Sequence, residues 1–134
     1  MTRLTFILTL LTFSALGQCT NCEEKNGHKM CWGENRSDTE IHLAKFMDLT
    51  HMVDSDQGGR VEEALNELNW LLDKAPCVNI CLYISGEKFI QKVLTFGISV
   101  KIKEAYSKTL KELKELKAKN YGADTVPTFP CFYN

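Results

Sequence analysis

Three cysteines and a histidine lie within thirteen positions near the start of the chain, at Cys19, Cys22, His28 and Cys31. Three cysteines and one histidine supply the four ligands of a tetrahedral zinc site. The two residues between Cys19 and Cys22 also give the spacing of a redox-active dithiol. The same cysteines can instead form one end of a disulfide framework and do no chemistry. The compartment in which the chain folds distinguishes these three interpretations.

The first seventeen residues have the pattern of a secretory signal peptide. Arg3 gives a positively charged start, an apolar run follows from Leu4 to Phe13, and small residues precede a cleavage point after Gly17. The apolar run is shorter than the ~20 residues that cross a bilayer, and no later segment is suitable. We therefore predict a signal peptide at 1–17, one secreted, extracellular domain at 18–134 and no transmembrane segment in the mature chain.

All six cysteines follow the predicted cleavage site, and an even number in an oxidising compartment indicates a disulfide framework. Each of three disulfides would contribute ~2–4 kcal/mol by restricting the unfolded chain. We expect Cys77 and Cys81 to bond different partners, among them N-terminal cysteines, and Cys131 to fix the C-terminal tail. The pairing itself stays open, and we expect no metal ion and no cofactor. The predicted disulfide residues are Cys19, Cys22, Cys31, Cys77, Cys81 and Cys131.

The redox interpretation has one resemblance in its favour. The tail stretch Tyr121-Gly122-x3-Val126-Pro127-Thr128-Phe129 resembles the segment around the cis-proline of thioredoxin-like proteins. That resemblance implies a thiol-disulfide oxidoreductase using Cys19 and Cys22. Such proteins need a strand before the dithiol and a helix starting within it, whereas polar residues follow Cys22 here. We keep this activity as the third hypothesis and expect a protein that is not an enzyme.

Helical periodicity begins at Thr39, with Asp38 or Thr39 as the expected cap of a first helix. Residues 61–75 carry one apolar stripe opposite a charged face and end at Pro76, which predicts the clearest helix of the chain. Residues 18–38 show no apolar periodicity, so we expect an irregular segment there.

Residues 77–85 favour a short buried helix, followed by a helix capped by Ser85. Tyr121-Gly122 indicates the C-terminal cap of the last helix, and the two-proline tail beyond it is expected to be extended. The predicted fold is therefore all-α: a small disulfide-stapled helical domain of four to five helices with irregular N- and C-terminal segments.

Charge is unevenly distributed although the formal net charge is only −1. Residues 34–73 carry ten acidic residues against three basic ones, and residues 101–119 carry seven lysines against three glutamates. Helical spacing predicts the ion pairs Glu104–Lys108 and Glu115–Lys119. The lysines are either a solvated surface or a basic face for glycosaminoglycan, anionic lipid or an acidic partner. The candidate basic face comprises Lys101, Lys108, Lys111, Lys114 and Lys117.

Two further features bear on partners. Asn35-Arg36-Ser37 is an N-glycosylation sequon, which predicts a glycoprotein with Asn35 at the surface. The lysine-rich segment has no arginine and no interleaved aromatic residues, so we expect no nucleic-acid partner.

The Cys77-x3-Cys81 spacing is similar to that of insect odorant-binding proteins, which are secreted helical carriers with six cysteines. Their closely spaced final cysteine pair is absent here. The resemblance implies only that a stapled helical body can enclose a small apolar ligand. The candidate lining residues are Leu65, Leu68, Leu72, Phe89, Val93 and Tyr106.

No arrangement of residues typical of catalysis is present: no glycine-rich phosphate loop, no His-Glu-x-x-His motif and no Ser-His-Asp order. His42 and His51 lie nine positions apart, so they point in different directions from one helix. The sequence therefore predicts a secreted, disulfide-stabilised helical protein that acts by binding, as an extracellular protein ligand or effector. A carrier of a small apolar ligand is the first alternative.

Overall fold

A computed structural model describes residues 19–25, 28–52, 60–122 and 131, so the predicted signal peptide and most of the C-terminal tail lie outside the described residues. Within them, the elements in chain order are β1 (Cys22–Lys25), β2 (His28–Cys31), α1 (Arg36–Met52), α2 (Arg60–Lys74), α3 (Ile80–Val93) and α4 (Val100–Tyr121). The prediction of a small all-α, disulfide-stapled domain is confirmed.

Helix α1 begins three residues earlier than the apolar periodicity indicates. Asn35 caps it, because its side-chain oxygen accepts a hydrogen bond from the backbone N–H of Asp38 at 3.1 Å. The predicted cap at Asp38 or Thr39 is therefore wrong. Thr39 is instead buried inside the helix, where its hydroxyl donates to the carbonyl of Trp32 at 2.7 Å.

Helix α3 is one continuous element where we expected two. It is capped by Asn79, whose side chain accepts from the N–H of Cys81 at 2.8 Å. Ser85 lies in the middle of α3 and is buried, so its predicted role as a cap is wrong. The physical reason is that apolar residues on both sides of Ser85 pack into the same core, and tertiary burial overrides a local capping preference.

Helix α4 begins where the sequence briefly alternates like a strand. The hydroxyl of Ser99 accepts from the N–H of Ile102 at 3.3 Å and caps the helix, so Val100 and Ile102 are helical. The other end agrees with the prediction. Gly122 has a φ of 90° and its N–H donates to the carbonyl of Ala118 at 3.0 Å.

The N-terminal segment contains an antiparallel hairpin that the sequence did not predict. Cys22 pairs with Cys31 across β1 and β2, and the same two residues form a disulfide. The N–H of Cys31 also donates to the carbonyl of Cys77 at 3.1 Å. Since the strands are four residues long and polar, no apolar alternation marks them.

The four helices form two antiparallel pairs that share one core. Trp70 in the second half of α2 stacks on His42 in the first half of α1, and Asn120 near the end of α4 bonds Tyr83 near the start of α3. Gly86 joins the pairs, because a Cβ there would lie 3.0 Å from a methyl of Leu113 and 3.4 Å from one of Leu68. The largest fully buried side chains include Phe46, Leu68, Leu71, Leu82, Tyr83, Ile90 and Leu113.

Candidate functional site

The cysteines form disulfides between Cys19 and Cys77, Cys22 and Cys31, and Cys81 and Cys131. The predicted framework is therefore present, and Cys77 and Cys81 have different partners. Cys77 lies in the turn before α3 rather than on a shared helix face. Two of the bridges close loops of 58 and 50 residues, which gives them the greatest effect on the entropy of the unfolded chain.

This pairing bears directly on the chemistry considered for the N-terminal cluster. Zinc ligation requires thiolates, but Cys19, Cys22 and Cys31 are all disulfide-bonded. A redox dithiol requires Cys19 and Cys22 to bond each other, and they bond different residues instead. Among the described residues, no group of three or more His, Cys, Asp or Glu side chains is placed to hold a metal ion.

A polar network attaches the hairpin to the start of α1. The indole N–H of Trp32 donates to Glu23 at 3.0 Å, and the guanidinium of Arg36 lies 4.7 Å from the centre of the same indole ring. Arg36 pairs with Glu40 at 2.9 Å and with Glu23 at 3.0 Å. The hydrogen bonds to Glu40 and Glu23 raise the pKa of Arg36 further. These contacts fix the cysteine-bearing segment on the helical body.

The ends of α3 and α4 meet through two buried phenols. The hydroxyl of Tyr83 donates to the carbonyl of Pro76 at 2.5 Å and accepts from Asn120 at 3.0 Å. The rings of Tyr83 and Tyr121 meet edge to face, 5.7 Å apart. Burial raises the pKa of Tyr83 to about 12. The pKa of Tyr121 is also raised, mainly by burial and to a smaller extent by the nearby phenol of Tyr83. This pair joins the start of α3 to the end of α4, since Tyr83 contacts both Asn120 and Tyr121.

Helices α1 and α2 bring together a histidine, a glutamate and a tryptophan. The Nδ1 atom of His42 is hydrogen-bonded to Glu67, and the imidazole stacks on the indole of Trp70 with ring centres 3.8 Å apart and an angle of 19° between the planes. Both partners lie on α2, three positions apart, so they share one side of that helix. His42 and Glu67 are half-buried, with side-chain exposures of 28% and 16%.

A surface groove of about 460 Å³ adjoins this contact at Glu67. Glu67 belongs both to the groove and to the histidine contact. Ile41 precedes His42 on α1, lies one turn before Lys45, and is 53% exposed. We call these side chains together the α1–α2 surface: Ile41, His42, Lys45, Asp48, Leu49, Glu63, Asn66, Glu67 and Trp70.

The predicted basic residues on α4 do not form one stripe. Lys108, Lys111, Lys114 and Lys117 are three positions apart, so each step turns about 60° around the helix axis. Within the described part of the chain, the lysines of α4 form no ion pair, so neither predicted pair with Glu104 or Glu115 is present.

The candidate apolar lining residues belong to the core. Leu68, Phe89, Val93 and Tyr106 are buried, with at most 7% exposure, and Leu65 and Leu72 pack against the same cluster while partly buried. Their side chains contact one another and the rest of the core, as in any well-packed helical domain.

No protein-family model, curated protein or solved structure matches the chain. In the segments that the structure describes, no helix is both long and apolar enough to cross a membrane.

The site that sequence reasoning missed is the contact of His42 with Glu67 and Trp70. The sequence around His42 contains no candidate partner for it, because both partners come from another helix. The sequence signal for this site is the spacing of Glu67 and Trp70, which places both on one side of the helix predicted over residues 61–75.

Proposed function

We propose that this protein is secreted and acts by binding a partner protein through the α1–α2 surface. The observation that carries the proposal is the stacked contact of His42 and Trp70, held by Glu67 beside an open groove. Tryptophan is enriched among the residues that dominate protein–protein affinity. Here its position is set by a cross-helix contact, so little side-chain freedom remains to be lost on binding.

The surroundings of this contact match the composition of an interface. Exposed Ile41 supplies apolar area, and the groove residues around it are polar and charged, in keeping with a polar rim. Helices α1 and α2 carry seven carboxylates against four basic side chains, a net charge of −3. The partner surface should therefore be basic at its edge and apolar at its centre.

The disulfide pairing supports binding over thiol chemistry. An oxidoreductase using Cys19 and Cys22 predicts that Cys19→Ser abolishes reductase activity and leaves the fold intact. Our proposal predicts instead that Cys19→Ser disrupts the fold, because the disulfide from Cys19 to Cys77 fixes the hairpin to the helical body. Reductase activity that depends on Cys19 in a folded variant would support the enzyme hypothesis instead.

The packing of the core supports binding at the surface over transport of a small apolar ligand. Leu68 and Val93 are fully buried among other side chains and are part of the packed interior. The proposal predicts that the folded protein takes up no fluorescent lipid probe. Saturable uptake, with displacement by an unlabelled fatty acid, would favour the carrier.

The direct test of the proposal is the binding of labelled protein to intact cells of a panel from the source organism. We expect saturable binding that unlabelled protein displaces and that treatment of the cells with trypsin removes, because the partner is a protein. Ile41→Asp and Asn66→Arg change exposed side chains of the α1–α2 surface and should each weaken binding about tenfold, a loss of about 1.4 kcal/mol.

Ala105→Asp is the matched control, since it places the same charge at an exposed aliphatic position on α4, outside the α1–α2 surface. This variant should bind cells as the parent protein does. Absence of saturable binding on every cell type, or equal binding by the parent and both α1–α2 variants, would contradict the proposal.

A further inference from the structure

The connection between α3 and α4 ends in an exposed apolar corner. We call residues 96–103 the α3–α4 tip. Val100 is 73% exposed and Ile102 is 42% exposed, and with Ile41 they are the large apolar side chains most exposed in the described chain. Single exposed apolar residues are ordinary, but here two lie within three positions at the same end of one helix.

The α3–α4 tip is structurally ordered. The N–H of Ile98 donates to the carbonyl of Phe96 at 2.8 Å, and the N–H of Lys103 donates to the carbonyl of Ser99 at 3.0 Å. Phe96 and Ile98 are partly buried against the core, so they hold the tip in place. Val100 and Ile102 are therefore exposed on an α3–α4 tip that is held by hydrogen bonds and by packing against the core.

Basic side chains lie between and beside these apolar ones. Lys101 and Lys103 are exposed, and they form no ion pair within the segments that the structure describes. The first turn of α4 contains no acidic residue, as in α3 and unlike in α1 and α2. Lysines in a first turn oppose the helix dipole, so helix stability does not account for them.

The positions of these four residues indicate the shape of what they contact. Val100 and Ile102 are two apart, as are Lys101 and Lys103, so each pair points to nearly opposite sides of the helix. All four share only the end of the helical hairpin. Side chains of a helix lean toward its N-terminus, so these four lean toward that end, where a flat surface would contact them more readily than a linear polysaccharide lying along α4.

We infer that the α3–α4 tip docks end-on to an anionic phospholipid membrane. Val100 and Ile102 enter the boundary between headgroups and acyl chains, and the ammonium groups of Lys101 and Lys103 contact lipid phosphates. The charge is complementary, because the α3–α4 tip carries two lysines and no acidic residue. This docking goes beyond the proposed partner binding, and the two surfaces share no residue.

Sedimentation with phospholipid vesicles tests the inference, using the full chain with its disulfides formed. We expect binding to vesicles of phosphatidylcholine and phosphatidylserine at 7:3, with little binding to phosphatidylcholine alone. Lys101→Glu with Lys103→Glu should weaken binding at least fivefold for each lysine, the effect of about 1 kcal/mol per basic residue. Val100→Asp with Ile102→Asp should reduce the bound fraction to the level seen with neutral vesicles.

Ile41→Asp is the control, because it makes the same change at an exposed aliphatic residue of the other helical pair. It should leave vesicle binding unchanged, and circular dichroism should show that every variant is folded. Three results would overturn the inference: equal binding to neutral and anionic vesicles, vesicle binding that survives both double substitutions, and retention on heparin without any vesicle binding.

Discussion

Gly33 occupies a position that leaves no room for a side chain. Its φ is +76°, and a Cβ would lie 2.6 Å from the carbonyl oxygen of Lys74. We predict that Gly33→Ala lowers the free energy of unfolding by about 1–3 kcal/mol, the usual range for a strained backbone position. The midpoint of urea denaturation measures this.

Gly97→Ala is the control for that substitution, since no atom lies within 4 Å of its Cβ position. It should be neutral, or stabilising by about 0.4–1 kcal/mol through the unfolded chain. Equal midpoints of urea denaturation for the two variants would show that Gly33 does not lie in close contact with Lys74 at the end of α2.

The buried phenol of Tyr83 makes stability depend on alkaline pH. Its pKa is about 12 in the folded protein and about 10 in an unfolded chain. Between these values the unfolded state loses its proton first, so the free energy of unfolding falls as pH rises from about 10 towards 12. The slope due to Tyr83 is about 1.4 kcal/mol per pH unit.

Chemical denaturation at several pH values between 8.5 and 11 measures this slope. Tyr83→Phe should be less stable at pH 8.5, because the hydrogen bond to Pro76 is lost, and should show a shallower alkaline fall. A fall of the same steepness in Tyr83→Phe would assign the alkaline sensitivity to other groups.

At the scale of one element, Asn35 has two roles that substitutions can separate. It caps α1 through its side-chain oxygen, and it is the acceptor residue of the predicted sequon. Asn35→Asp should keep the cap and lose any glycan, whereas Asn35→Ala should lose both and about 1 kcal/mol of stability. Ser37→Ala should remove the glycan alone.

Mass spectrometry of protein from a eukaryotic host reports the glycan, and urea denaturation after enzymatic deglycosylation reports the cap. If Asn35→Asp were as unstable as Asn35→Ala, the capping role would be refuted. An unmodified mass for the parent protein would refute glycosylation in that host without affecting the cap.

The elements that could be predicted from sequence are those whose own residues specify them. Helix α2 carries a complete apolar stripe, and the end of α4 is marked by Gly122. The start of α3 could not be located in this way. Asn79 and Ser85 are both acceptable caps by type, and the core that buries Ser85 is built from residues distant in sequence.

The hairpin and the candidate site could not be predicted from the sequence, and the physical reason is the same for both. Strands β1 and β2 are held by a disulfide and by contacts to the turn before α3, not by strand propensity. The contact between His42 and Trp70 joins residues 28 positions apart on separate helices. Helical periodicity shows which side of a helix a residue occupies but not which helix it will meet.

At the scale of the whole molecule, the uneven charge seen along the sequence coincides with the two helical pairs. Helices α1 and α2 carry a net charge of −3, and α3 and α4 carry +5. Opposite charges on two separate surfaces allow two partners of opposite sign to bind without competition. Higher salt should therefore weaken both vesicle binding and the rate of association with a basic partner protein.

We propose that the six cysteines hold together a secreted binding protein and do no chemistry. This role is tested by the intact mass of the chain recovered from the medium of expressing cells, measured before and after reduction. We expect a gain of two hydrogens for each of three disulfides, with peptide mapping that links Cys19 to Cys77, Cys22 to Cys31 and Cys81 to Cys131. Retention in the cell, a smaller gain with free thiols at Cys19 and Cys22, or zinc retained under native conditions would contradict it.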